Sequence, residues 1–137
     1  MANLVYNSFK QGLLAGSFNL TATNAIKVAL VTSGYTPSID NDSLFTDVTD
    51  EVTGIGYSAG GKALSNVTIT QNNTTDLGYL DADDVTWTTS SLTARAAVLY
   101  QVSDGKLICY IDFGSDKISQ IGSFTIQWNT SGIINLI

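Results

Sequence analysis

The chain contains no histidine, one cysteine (Cys109), one arginine (Arg95), one proline (Pro37) and one glutamate (Glu51). Each shortage closes a branch of chemistry. Without histidine, neither a Ser/His/Asp nor a Cys/His arrangement can be built, and the usual His and Cys set for zinc is missing. A lone cysteine forms no internal disulfide and no CxxC motif. Cys109 lies in the apolar alternating run Leu107 to Phe113 (LICYIDF), where it reads as a core residue rather than a nucleophile, with no base to activate it. Glycoside hydrolysis asks for two carboxylic acids on facing elements. Glu51 stands alone, and the aspartates fall in loop-like sequence.

Long apolar runs are missing as well: none approaches the roughly 20 residues that cross a bilayer. The start, MANLVYNSFKQ, has no cationic stretch leading into an apolar one, so cytoplasmic synthesis without a secretory leader is expected. On that expectation the N-x-S/T triplets at Asn19, Asn66, Asn72, Asn73 and Asn129 are a by-product of Asn/Thr-rich composition rather than glycan sites. Positive charge is scarce: 6 basic residues face 12 acidic ones, a net of −6. That balance disfavours nucleic acid, which needs Lys and Arg against its phosphates, and an anionic membrane surface. It suits solubility, or docking on a basic or neutral protein lattice.

What is present points to strands. The 137 residues are expected to form one domain, 1–137, with 44% apolar residues, enough for a core without staples. Only 13% are charged. The polar surface therefore comes from Ser, Thr, Asn and Gln, which favour extended or turn structure over helix. Leu4 to Ala15 is the one helix candidate: Leu4, Phe9, Leu13 and Leu14 share a face, Asn7 or Ser8 caps a shorter version, and Gly16 stops it. This 1–16 segment either covers a sheet edge or is an arm reaching a neighbouring subunit.

Strands are expected at Ile26 to Thr32, apolar on both faces like a central strand, and at Glu51 to Ser58, an edge or bent strand. Others are expected at Leu64 to Gln71, Leu77 to Asp81, Val85 to Thr88, Phe124 to Trp128 and Ile133 to Ile137. Ala94 to Val102, the turn Ser103-Asp104-Gly105 and Lys106 to Gly114 read as an antiparallel hairpin. Asp40 to Asp50 reads as a loop with one helical turn. About eight strands at roughly ten-residue spacing predict an all-β fold, an antiparallel β-sandwich or jelly roll.

The remaining motifs are weighed against plainer roles. Gly54-Ile55-Gly56 lacks a third glycine, and Gly60-Gly61-Lys62 lacks the P-loop spacing, so Lys62 is a turn residue. Asp40-Asn41-Asp42 and Asp81-Ala82-Asp83-Asp84 offer oxygens to calcium, but neither matches the EF-hand loop, and solvated turns explain both. No cofactor is expected. Trp87, Trp128 and the tyrosines could stack on sugars, yet alternation sets both tryptophans among aliphatic strand neighbours, which favours the core. Arg95 opens an apolar strand, so it is either half buried against a carboxylate, with an Asp of the 81–84 cluster the expected partner, or sits in an interface.

At EVTGIGYSAGGKAL, DADDVTW, ARAAVLY, YIDFG and FTIQWN…GI, and at the opening YNSFKQGLL with IKVALVTSGYTP, the chain resembles small virion structural proteins of tailed bacteriophages. The resemblance spans nearly the whole chain, and its motifs are structural. It implies a virion component without enzyme activity, and no catalytic or binding residue is carried over. Head decoration or cement proteins, minor capsid proteins and tail or fibre-associated parts all fit. The leading expectation is a capsid decoration protein on the major capsid lattice, a homotrimer at three-fold positions, with segment 1–15 and loops 40–50 and 81–84 as contacts. A tail or fibre module and a carbohydrate-binding module are the alternatives.

Overall fold

The computed structural model describes residues 3–137. In chain order the elements are β1 (Leu4–Val5), α1 (Asn7–Ala15), β2 (Ile26–Val31), β3 (Lys62–Ala63), β4 (Thr68–Asn72) and β5 (Leu77–Asp81). They continue with β6 (Val85–Ser90), β7 (Thr93–Gln101), β8 (Leu107–Ile118), β9 (Gly122–Ile126) and β10 (Ile134–Leu136). A 3₁₀ turn at Phe45–Asp47 is the expected helical turn of the acidic loop. The fold is mostly β, every ladder is antiparallel, and no sheet closes into a barrel.

The expected hairpin is the centre of the molecule. β7 and β8 pair from Tyr100↔Leu107 to Thr93↔Ile118, with register shifts between Ala94 and Ala96 and between Leu99 and Tyr100. β2 joins β7, and short strands finish both sides, giving the order β1-β8-β7-β2-β3. β10-β5-β4 form a three-stranded sheet, and β6 pairs with β9.

The five-stranded sheet is covered on both faces, and strand alternation sorts its residues between them. Val28, Leu30 and Leu99 face a core with Trp87, Phe124, Ile126, Trp128 and Leu80 from the smaller sheets. Ala29, Val31, Val98 and Tyr100 face a second core roofed by Tyr6, Tyr35, Phe45 and Val48. Each fully buried Val or Leu contributes about 1.5–3 kcal/mol. The second core is rich in tyrosine, so its hydroxyls need partners. Tyr6 and Tyr35 hydroxyls lie 2.8 Å apart, and Tyr35 donates to Asp42 Oδ2 at 2.8 Å. Phe45 stacks on Tyr100 at 4.1 Å.

The N-terminal expectation is corrected in its details. Leu4 belongs to a strand, and the helix begins at Asn7 with Tyr6 at the capping position, so neither Asn7 nor Ser8 is the cap. Starting there rotates Phe9 and Gly12 inward. Leu14 is left 93% exposed and Leu13 only partly covered, so the expected apolar face does not exist. Phe18 takes the place of those leucines: a Cβ on Gly12 would lie 2.4 Å from its ring, which also meets Phe9 edge-on at 4.8 Å. The stop at Gly16 holds. Its φ is +72°, and the Gly16 and Ser17 amides donate to Leu13 and Gly12, a Schellman closure. Residues 3–16 therefore cover their own sheet rather than reaching out as an arm; Met1 and Ala2, also part of that expectation, lie outside the described residues.

The strand expected at Glu51 to Ser58 is absent. Only the bridges Val31↔Glu51 and Ile55↔Ser91 form there. Gly54 sits so close to Ser91 that a Cβ would lie 2.6 Å from its carbonyl oxygen, and Gly56 has φ +86°, so the passage presses sideways on the sandwich and cannot run as a ladder. Lys62, expected in a turn, stands in β3, with Nζ donating to the Thr86 carbonyl and lying 5.8 Å above the Trp87 ring.

Candidate interaction site

Two places on the surface stand out. The first is an open groove of about 680 Å³ between the β1–β8 edge, β9 and the start of β10. Its floor is apolar: Ile111, Phe113, Ile126, Trp128, Ile133 and Ile134. Both faces of β9 contribute, the buried Phe124 and Ile126 and the exposed Ser123 and Thr125, with the exposed Gln127 just past its end. A strand shows alternate side chains to opposite faces, so residues of both faces line one groove only where the strand meets it edge-on. Among the described residues β9 pairs with β6 alone, which leaves its other edge without a ladder.

Among the described residues the groove's lining contains no carboxylate, and Lys117 is the one charged side chain. Cys109 is buried at the groove's base, and burial pushes its thiol up to about 12, far from the reactive thiolate form. Burial likewise raises Tyr110 above the ordinary phenol value.

The second place is an apolar end gathered around Ser91. Ser91 donates its amide to the Ile55 carbonyl, and its hydroxyl accepts from the Ile121 amide at 3.0 Å. Ile55, Ile118 and Ile121 are 71%, 64% and 83% exposed. Two β-branched residues here take left-handed backbone, Thr89 at φ +48° and Ile121 at +45°. That conformation costs a β-branched residue free energy and persists only where the surroundings enforce it. The enforcement is visible beneath. Ser119 Oγ accepts from the Leu92 amide at 3.1 Å and lies 2.9 Å from Ser90 Oγ. The buried Ser90 hydroxyl is also within 3.1 Å of the Trp87 carbonyl and 3.0 Å of that of Gly122. The two hydroxyls thus stitch the β6 irregularity to the β8–β9 turn.

Of the residues singled out in the sequence, Cys109, Trp128 and Leu4 of the N-terminal segment line the groove, while Arg95, the acidic clusters, Glu51 and Trp87 do not. Arg95 Nε meets Asp112 Oδ1 at 2.8 Å, across the β7–β8 hairpin, rather than an Asp of the 81–84 cluster; that pairing is corrected. The two residues lie near each other in the ladder, since Asp112 pairs with Ala96. The Arg95 guanidinium holds the Asp112 carboxyl below the usual carboxylate range. The acidic clusters are spent on local donors. Asp40 accepts from Asn7 Nδ2, Asp42 from the Ser38 amide and Tyr35, and Asp81 from the Ala82 amide. Asp83 accepts from Asn66, and Asp84 from the Trp128 amide. Among the described residues no group of three or more His, Cys, Asp or Glu could hold a metal ion.

Glu51 accepts from the Tyr57 hydroxyl at 2.6 Å and the Gly60 amide at 2.7 Å, so it anchors a turn. Trp87 and Trp128 are 1% and 7% exposed and give sugars no platform. The groove and the strained end were not legible in the sequence. Alternation gave the inward face of β9 correctly, but nothing local tells which strand edges stay unpaired. The run Ser119-Gln120-Ile121-Gly122 shows a turn without revealing that Ile121 rather than Gly122 carries the positive φ. No protein-family model, curated protein or solved structure matches this chain.

Proposed function

We propose that this protein is a non-enzymatic structural component of a tailed-bacteriophage virion, a decoration protein bound in many copies to the major capsid lattice. The observation that carries the reading is the apolar end. Three largely exposed isoleucines, Ile121 on a strained turn, Ile55 bridged to Ser91 and Ile118 at the end of β8, stand near a buried hydroxyl pair, an arrangement whose exposed apolar area suits contact with another surface. The resemblance of the sequence to small phage virion proteins supports the same reading, as does a groove whose lining carries no carboxylate or histidine. A homotrimer at the lattice's three-fold positions is part of the proposal.

For the architecture, we infer a β-sandwich in which the two smaller sheets form the second layer. A jelly roll divides eight strands between two sheets, whereas here the strands divide five, three and two.

Gold-labelled antibody imaging of intact particles tests the location. Label spread over the head is the expected result; label at the tail or one vertex moves the protein to the fibre class, and unlabelled particles overturn the virion reading. Co-sedimentation with particles stripped of the protein tests the surface. Ile55→Asp should lose binding while keeping the wild-type Tm, because the side chain is already in water. Unchanged binding would remove the apolar end from the interface.

A further inference from the structure

We propose that the groove is a strand acceptor: it takes an extended segment of a different protein, paired along the free edge of β9, with apolar residues turned into the groove and a carboxylate set against Lys117. The inference concerns a surface that shares only Ile118 with the apolar end and does not depend on where in a virion, or whether in one, the protein resides.

Three observations carry it. The first is the edge itself. β9 runs from Gly122 to Ile126 with one ladder among the described residues, to β6, so its other side has no described strand partner and offers a template for another strand. Five residues at strand rise span about 17 Å, room for a segment of similar length. The second is the shape. Beyond the two residues of β1, and the Asn3 side chain that caps the Asp112 amide at 2.7 Å, no described strand covers the outer side of β8. The gap is therefore bounded by strand edges on two sides and floored by Ile126, Trp128 and Ile134. An alternating segment fits such a space: backbone to the β9 edge, every second side chain to the floor.

The third is charge. In a chain of net −6, the one charged side chain among the described residues that line the groove is a lysine. Lys117 is exposed and has no ion-pair partner among the described residues. An occupant with an acid at that position gains an opposite charge, and a basic one meets repulsion. A second copy of this chain is disfavoured as donor, because its most exposed edge strand, β4 (TITQN), carries no carboxylate. A lysine beside a free edge also deters unwanted pairing, and a role confined to that would show no preference for acidic segments.

The test uses the full chain, ¹⁵N-labelled, at neutral pH and low salt. The probes are three capped seven-residue peptides of alternating Val and Thr: one with a central Asp, one with a central Lys, and the Asp peptide with alternate backbone amides N-methylated. The expected result is that the Asp peptide shifts the amide signals of Ser123, Thr125 and Gln127. The Lys peptide should bind about two- to fivefold more weakly, as an exposed ion pair allows, and the methylated peptide not at all. Lys117→Glu, an exposed substitution that leaves the fold alone, should reverse the preference between Asp and Lys. Equal affinity for the Asp and Lys peptides overturns the charge match. Equal binding of the methylated peptide overturns strand addition. No binding at about 1 mM peptide, or concentration-dependent self-association through the same β9 amides, overturns the proposal as a whole.

Discussion

β7 and β4 are both antiparallel strands, yet six consecutive residues of β7, Ala96–Gln101, are buried while all five of β4 are exposed. Local propensity does not separate them: TITQN is as good a strand sequence as TARAAVLYQ. Position does. β7 has a ladder on each side and a core on each face, whereas β4 is the outer strand of a three-stranded sheet with one ladder, to β5. Stability in this molecule is therefore concentrated in the five-stranded sheet, and the β4–β5–β10 sheet rides on it through Leu80 and Ile134.

The sharpest way to break that contrast is a matched pair of truncations. Leu99→Ala removes a fully buried side chain from the first core and should cost about 2–5 kcal/mol. Ile69→Ala, on a residue 55% exposed in β4, should fall within about 0.5 kcal/mol of wild type. Denaturant unfolding checks both. Comparable losses would mean that the outer strand shares the core's cooperativity and that the contrast is only one of exposure.

A smaller effect probes the charged edge of the central hairpin. Arg95 first, and the Gly114 amide at 2.9 Å after it, favour the ionised form of Asp112. The backbone amides of Ser43 and Leu44 hold Asp47 low in the same way. With folded values depressed below the unfolded carboxyl value of about 3.9, the unfolded chain binds protons first as pH falls. These groups contribute fully above that value, and the contribution drains away below it. Acid titration of Tm should show a decline beginning near about pH 4, and Asp112→Asn should start lower at neutral pH but decline less steeply. Parallel curves would show that the Arg95–Asp112 contact does not differ between the folded and unfolded chains.

The same contrast explains what the sequence could and could not tell. Where a strand is enclosed, pattern and burial agree. Ile26 to Val31, the β7–β8 hairpin and the alternation Phe124-Ile126-Trp128 were readable, because a covered face imposes apolar residues at period two. Where structure depends on contacts distant in sequence, the reading failed. Arg95 found Asp112 through ladder register and not through the acidic cluster, and Glu51–Ser58 was prevented from forming a strand by its approach to Ser91. The helix face went wrong because Phe18, outside the helix, covered Gly12 and left Leu13 and Leu14 to solvent. The groove depends on an unpaired edge, which no single strand's sequence records.

The one gain in stability concerns Ile121 and is the most informative about the apolar end. An L-residue in the left-handed region costs about 1–2 kcal/mol, and asparagine tolerates it better than a β-branched residue does. At 83% exposure the isoleucine recovers little through burial. Ile121→Asn should therefore stabilise the isolated protein, by about 0.5–1 kcal/mol, while weakening its binding to particles. Ile118→Asn is the control: it lies in β8 paired with Thr93, its φ is not positive, and it should reduce binding without any gain in stability. A more stable protein that binds less well would mean that the isoleucine is kept against folding's preference for the sake of a contact. If Ile121→Asn gains stability and binds particles as wild type does, the strained isoleucine has no part in docking, and the apolar end no longer supports the virion reading.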